Sequence, residues 1–428
     1  MDNNIDIKLK KFFEISRWEN MLEKAYDKRI DMGLLRQLCE PQNRIALLNA
    51  ITSGNYAIAP PHIARIPKDN GEFREVYVNE PIDRIFLSLY NDILFEMFGD
   101  KIHPSCKSYQ KGIGCPQTVK EISKQICAMP TNEVGYKVDL SKYFDSVKIE
   151  VIDEALNELS TGSPLDDIVK EYYHNDLVFD AEGNLVEHYG SLKQGCAIAS
   201  FLANYILRDI DAACSKIVPI YCRYSDDILI IGPNTDKAMA YLQGALEAKG
   251  LKLNPKKIER VSKDKYFTFL GFNICGDKIS FSKKSIKNFQ REIESRTIKA
   301  NVTTKKAINN VNKYMYDGYV VDSRRFGWAA YFLSTVNVTD DVHELNKFAM
   351  DCIKAVDSGK KKIGGLGANP QKGRVVCRGT GKNVSANRQK WNQKYGSDHI
   401  DGYLTLNTMQ NALKMGKPVY ESILVSVM

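Results

Sequence analysis

A chain of 428 residues with 43% hydrophobic and 26% charged residues has the balance of a soluble globular protein rather than a disordered one, and it is too long for a single ordinary core. It holds no run of about 18 apolar residues, and the N-terminus MDNNIDIKLKKFF is acidic and polar where a signal peptide is basic and then apolar, so the expectation is a cytoplasmic protein without a membrane partner. The formal net charge of +8 is concentrated: residues 359–395 carry ten Lys or Arg and no Asp or Glu, leaving 50 basic against 52 acidic residues elsewhere.

In chain order, residues 8–53 show helical periodicity through Leu9, Phe12, Phe13 and Trp18, and PQNRIALLNAITSG predicts a short helix ended by Gly54. IARIPKDNGEFREVYV predicts a hairpin around Lys68-Asp69-Asn70-Gly71, with Arg65, Lys68 and Arg74 on or near it. IDRIFLSLYNDILFEMF (82–98) predicts a helix. GYKVDLSKYFDSV alternates Tyr136, Val138 and Leu140 against Lys137 and Asp139, a strand that breaks into a turn at Ser141. VIDEALNEL and SPLDDIVKEYYHND predict helices, and GSLKQGCAIASFLANYILRDIDAAC a loop followed by one long helix from about Ala197.

IYCRYSDDILIIG predicts two short apolar strands that turn back at Ser225, Asp226 and Asp227. A helix (DKAMAYLQGALEAKG), a loop (LKLNPKKIERV) and a hairpin (YFTFLGFNICGDKISFS) follow, then basic helices from Lys283 onward. The Gly-rich basic segment 359–383 reads as a loop or arm. It is expected to seek a polyanion, phosphate backbone being the commonest, with a solvated linker as the alternative. Ten scattered cysteines with no CxxC pair, and six histidines far from any paired cysteine, point to reduced thiols and against zinc.

Burying ionised carboxylates such as Asp226 and Asp227 in an apolar run is costly unless something compensates them. If the strand tip of Asp139 lies beside theirs, three carboxylates converge, and each unpartnered pair ~4 Å apart repels by roughly 4 kcal/mol at an effective dielectric near 20. A divalent cation removes that penalty. Hard oxygen ligands without nearby His or Cys select Mg²⁺ or Mn²⁺, and two such ions suit nucleotidyl transfer. The bland reading of Asp-Asp is a solvated turn.

The ordered stretches KVDLSKYFD, GSLKQGCAIASFLANYIL, YSDDILIIG, GLKLNPKKIE and FLGF resemble the successive palm motifs of reverse transcriptases, and RIPKDNGEFREVYV and SYQKGIG their fingers motifs. The resemblance runs from about residue 60 to 282. It implies an α+β right-hand polymerase with fingers, an antiparallel-sheet palm, a helical thumb and a basic C-terminal extension. The expected limits are 1–128 for N-terminal helices and fingers, 129–282 for the palm with a fingers segment at about 160–190, 283–358 for the thumb, and 359–428 for the basic element.

By the same resemblance Asp139, Asp226 and Asp227, with the Leu140 carbonyl, are metal ligands for two Mg²⁺ (or Mn²⁺). Lys257 matches a lysine that protonates the leaving pyrophosphate, although neighbouring Lys256 leaves the register open. Lys68 and Arg74 match cations that hold the triphosphate, Phe144 a ring that excludes a nucleotide 2′-hydroxyl, and Gln194 and Gly195 a pair that contacts the incoming dNTP. Solvated hairpin charge and core packing are the bland readings of Lys68, Arg74 and Phe144.

The look of the chain is similar to bacterial defence-associated reverse transcriptases, in particular a compact class, called type 2, templated by a noncoding RNA. That implies cDNA synthesis on a dedicated structured RNA in antiviral (antiphage) defence. Lys360, Lys361, Lys362, Arg374, Arg378 and Trp391 are the candidate RNA contacts of the basic element. After Ser358 the acidic residues are Asp398, Asp401 and Glu421, too few for a carboxylate-metal nuclease, so the template is expected to survive. Competing readings are template-independent nucleotide addition by the same site and an RNA-binding, maturase-like scaffold.

Overall fold

The computed structural model describes residues 6–24, 30–68, 71–130, 134–316, 327–359, 363–368, 375–378, 389, 393, 400–416, 419 and 421–422. Packing divides the chain into two compact units, residues 1–111 with 136–259 and residues 112–135 with 260–428.

In the first unit the predicted hairpin forms from β1 (His62–Pro67) and β2 (Phe73–Val78), paired antiparallel with Pro67 opposite Phe73. Two short strands then extend this sheet: β4 (Leu177–Phe179) runs parallel to β1, and β5 (Leu185–Glu187) antiparallel to β4, in the order β2-β1-β4-β5. Neither was foreseen, since three residues are too few to display a period. Their turn does carry a signal: the Asp180 carboxylate accepts the N–H groups of Glu182 (3.0 Å) and Asn184 (2.8 Å), an Asx-type turn before Gly183.

A second sheet holds β3 (Val134–Asp139), β6 (Ile220–Tyr224) and β7 (Asp227–Ile231), in the order β6-β7-β3. Strand β8 (Glu259–Ser262) follows later in the chain. β6 and β7 are antiparallel, with Tyr224 opposite Asp227, and Ile228, Leu229, Ile230 and Ile231 are fully buried. Helix Pro81–Phe98 starts on a proline that needs no N–H partner and buries Ile85, Leu89, Ile93 and Leu94 in the same core. The N-terminal helix Ile7–Phe12 is locked to this unit by Lys8, whose buried ammonium pairs with Asp166 and donates to the Leu159 carbonyl (2.7 Å).

The long helix expected from Ala197 is instead two, Ala199–Tyr205 and Arg208–Ile217, broken at Ile206-Leu207. The break is stabilised locally. The Arg208 side chain donates to the Tyr205 carbonyl (3.0 Å), supplying a donor where helical pairing is interrupted.

In the second unit helix Cys115–Ala128 packs on a three-stranded antiparallel meander, β9 (Phe267–Phe269), β10 (Phe272–Cys275) and β11 (Lys278–Phe281). Helices Lys283–Arg296, Thr304–Tyr316, Trp328–Leu333, Thr339–Asp357 and Leu406–Met415 complete it. Its aromatic centre is Trp328, with ring centroids 5.8 Å from Phe281 and 4.6 Å from Phe289.

The basic segment is no free arm throughout. β12 (Gly365–Ala368) and β13 (Val375–Arg378) form an antiparallel hairpin. The side chain of Gln290 accepts the Leu366 N–H (3.0 Å), and the buried Asp341 carboxylate accepts the Val375 N–H (3.0 Å). Composition hid this, because Gly and Lys dominate the segment while Leu366 and Val375 are the residues that bury.

The architecture is the expected α+β class, with mainly antiparallel strand pairs and many helices. Among the described residues no helix is long and apolar enough to cross a membrane. The nine cysteines whose side chains are described are all free.

Candidate active site

Strand β3 ends at Asp139, which is 5% exposed, and the β6–β7 hairpin turns at Ser225-Asp226. Backbone bonds bring the two ends together: the Leu140 N–H donates to the Asp226 carbonyl (3.0 Å). The Asn254 N–H donates to the Asp139 carbonyl (2.8 Å), which seats the loop LKLNPKK beside the same carboxylate. In that loop the Asn254 side chain caps a single 3₁₀ turn, Pro255–Lys257, by accepting the Lys256 N–H.

The turn decides the lysine register. Lys257 Nζ lies 2.6 Å from Asp139 Oδ2, so Lys257 and not Lys256 is the lysine on the triad.

The electrostatics are those of crowded like charge. Burial raises Asp226 above the usual carboxylate range and the charge of Asp139 adds to it. Burial, then the charges of Asp226 and Asp139, push Asp227 up to about 6. Burial alone would lower Lys257, but its bond to Asp139 and the charges of all three acids leave it raised.

Among the described residues no three His, Cys, Asp or Glu side chains form a ready metal-holding group. The donor set nevertheless fits a hard divalent cation: carboxylates without His or Cys, held where added positive charge would relieve them. Leu140 is buried at this junction, where its carbonyl belongs to the backbone facing the loop at Leu253.

Phe144 lies on the short helix Tyr143–Ser146 directly after β3, half-buried, with its ring edge-on to Tyr143. Part of it therefore packs against the core, and part is accessible. Gln194 and Gly195 are docked against β2. The Tyr77 N–H donates to the Gln194 carbonyl (2.7 Å), and a Cβ on Gly195 (φ 109°) would stand 2.5 Å from Val76 and 2.7 Å from the Tyr77 carbonyl. A side chain at 195 would have to displace backbone.

Lys68 lies at the end of β1, its backbone N–H donating to Glu72 (2.7 Å), and Arg74 lies on β2 opposite Ile66. Both act on Asp145, an exposed acid whose carboxyl is raised by desolvation against the opposing charges of Lys68 and Arg74. Asp145 was missed, although it adjoins Phe144 in the stretch KYFDSV.

Also missed was Arg223, fully buried beneath the turn. Its Nη2 pairs with Asp211 (2.6 Å), and Nη1 donates to the carbonyls of Ala203 and Ser225 (both 3.3 Å). Lys193 was missed too: buried beside Gln194, its ammonium donates to the Tyr172 (2.7 Å) and Asn175 (2.6 Å) carbonyls that end helix Pro164–His174. Of the candidate RNA contacts, Lys360, Lys361, Lys362, Arg374 and Trp391 lie outside the described residues, while the backbone of Arg378 closes β13.

An antiparallel hairpin presenting two acids beside a strand that ends in a third is consistent with the palm of a polymerase. Residues 66–274 match the family model described as "Reverse transcriptase (RNA-dependent DNA polymerase)". The chain is also similar to the "Putative COX1/OXI3 intron 1 protein" of Saccharomyces cerevisiae, at 22% identity over a 336-residue alignment covering 64% of this chain and 39% of that protein. It thus spans well under half of that relative.

Among solved structures, apo telomerase from Candida tropicalis aligns at a TM-score of 0.45 and 12% identity, covering 74% of this chain and 63% of that one. Candida albicans telomerase in complex with a fragment of telomeric RNA aligns at 0.41 and 13%, covering 84% and 67%.

Proposed function

We propose that this protein is an RNA-directed DNA polymerase that copies a dedicated structured noncoding RNA into cDNA, in antiphage defence. The observation that supports it most is the meeting of Asp139, Asp226 and Asp227 at two adjoining strand ends with Lys257 on Asp139. Binding alone does not need convergent carboxylates, which disfavours a scaffold.

Asp139, Asp226 and Asp227 would hold the divalent cations, which when bound activate a primer 3′-hydroxyl and neutralise the departing pyrophosphate. Lys257 stands within reach of the same carboxylates as a proton donor to the leaving group. Lys68 and Arg74 supply positive charge for the triphosphate, Arg74 with a bidentate fork. The Gln194-Gly195 loop, held rigid against Tyr77, offers a fixed floor for the incoming dNTP, and the Phe144 ring excludes a 2′-hydroxyl.

Extension of a DNA primer on RNA with dNTPs and Mg²⁺, together with sequencing of the nucleic acid that co-purifies, tests the reading. One abundant structured RNA and template-dependent extension are expected. Extension without template favours nucleotide addition, no extension with tight RNA binding favours a maturase-like scaffold, and a random RNA mixture overturns the dedicated template. Loss of phage resistance in cells expressing the Asp226→Asn variant tests the defence role.

A further inference from the structure

The turn that carries Asp226 is tied to a residue for which the proposed reaction has no use so far. Tyr109 and Ser225 both have left-handed backbone (φ 57° and 60°), and their hydroxyl oxygens lie 3.4 Å apart. A non-glycine residue in that region costs on the order of 1 kcal/mol or more and persists where its surroundings over-determine it.

The surroundings do so here. Residues 105–107 run alongside β6 as a parallel bridge: the Arg223 N–H donates to the Ser105 carbonyl (3.0 Å) and the Lys107 N–H to the Arg223 carbonyl (2.8 Å). Buried Ser108 and Asn204 exchange two bonds, hydroxyl to Oδ1 (2.8 Å) and Nδ2 to carbonyl (2.7 Å). Arg223 grips the Ser225 carbonyl from below. The backbone of both residues is thus fixed, while the Tyr109 ring is 45% exposed and its hydroxyl meets a serine that is 9% exposed.

A serine hydroxyl has one proton to give and an oxygen that accepts. Ser225 immediately precedes Asp226 in the turn, so the hydroxyl that Tyr109 meets sits on the residue next to the one that carries the carboxylate. Either hydroxyl can give the proton of the Tyr109–Ser225 contact, and in both cases Ser225 is held at its side chain as well as at its backbone. We propose that Tyr109 is a positioning residue for nucleotidyl transfer, holding the Asp226 carboxylate in its cation-binding orientation through the Ser225 hydroxyl. This inference rests on the polymerase reading above.

The test compares full-length wild type with Tyr109→Phe, Ser225→Ala and the double variant. It uses primer extension at saturating dNTP, Mn²⁺ titration followed by electron paramagnetic resonance, and thermal melts. Each single change should lower kcat and weaken Mn²⁺ binding by roughly tenfold, the usual cost of removing a partner behind a metal ligand. KM for dNTP and the melting midpoint should stay within error, and the double variant should be no worse than Ser225→Ala alone.

Wild-type kcat and Mn²⁺ affinity in Tyr109→Phe, or losses that multiply in the double variant, would overturn the proposal. A wild type that makes no DNA overturns the polymerase reading instead, and the Mn²⁺ titration then still decides the positioning.

Discussion

Two sets of buried charge lie within a few residues of each other on the β6–β7 hairpin, and the fold treats them in opposite ways. Below the turn, Arg223 and Asp211 are both fully buried and fully answered: three guanidinium bonds reach the Asp211 carboxylate, which also accepts the Tyr221 hydroxyl (2.9 Å). At the turn itself, Asp226 and Asp227 both feel the charge of Asp139, Asp227 also that of Asp226, and the ammonium of Lys257 is bonded to Asp139. The first set fixes geometry; the second is left short of positive charge. Stability and the proposed chemistry are thus assigned to residues of one hairpin, Arg223 on β6 and Asp226 and Asp227 at its turn.

Breaking each set should have opposite consequences. Asp226→Asn or Asp227→Asn should reduce dNTP incorporation by at least about a thousandfold, the few kcal/mol that charge stabilisation at such a site supplies. The melting midpoint should hold or rise, because the change removes repulsion and little volume. Primer extension beside thermal melts checks this, and near-normal extension by Asp226→Asn would sink the ligand assignment. Asp211→Ala should do the reverse, destabilising the fold by about 3–5 kcal/mol because it strands a buried guanidinium. Urea unfolding with a tryptophan signal measures it.

A smaller effect sharpens the functional side. Phe144→Ala should raise the ratio of rNTP to dNTP incorporation by about tenfold, a change of the size that one lost pocket contact produces. An unchanged ratio in an active, folded variant would make Phe144 core packing alone.

The smallest effect concerns Lys193, which burial lowers to about 8 from 10.5. Between those values the unfolded chain holds a proton there that the folded chain lacks, so this residue makes stability rise with pH across the window from about 8 to 10.5 and contributes no slope below it. Comparing urea midpoints of wild type and Lys193→Met at pH 8, 9 and 10 isolates the slope, which should be absent in the variant.

What could be read in the sequence was what local periodicity and turn chemistry encode. The Asp226-Asp227 hairpin, the strand ending at Asp139, the hairpin around Lys68 and most helices are set by residues within a dozen positions of one another. The Lys257 register needed the Asn254-capped turn, and the helix break at Leu207 needed the Arg208 side chain. The supports of the site join distant segments that no window contains: Tyr109 meets Ser225 across 116 positions and Lys8 meets Asp166 across 158. A buried Arg in CRYSDD signals that a carboxylate must exist for it, but its identity as Asp211 is a tertiary fact.

The docking of Val375 on Asp341 sets a condition on how the basic C-terminal segment can be dissected. Asp341 is 1% exposed and uses its two oxygens separately, one for the Ser280 hydroxyl and one for the Val375 N–H. Cutting the chain after Ser358 would take away the second donor and leave a carboxylate at the base of the β9–β11 meander short of a hydrogen bond, a loss of about 1–3 kcal/mol unconnected with RNA. A truncated protein would therefore confuse misfolding with lost RNA grip, whereas neutralising lysines and arginines one by one does not delete Val375, whose N–H serves Asp341.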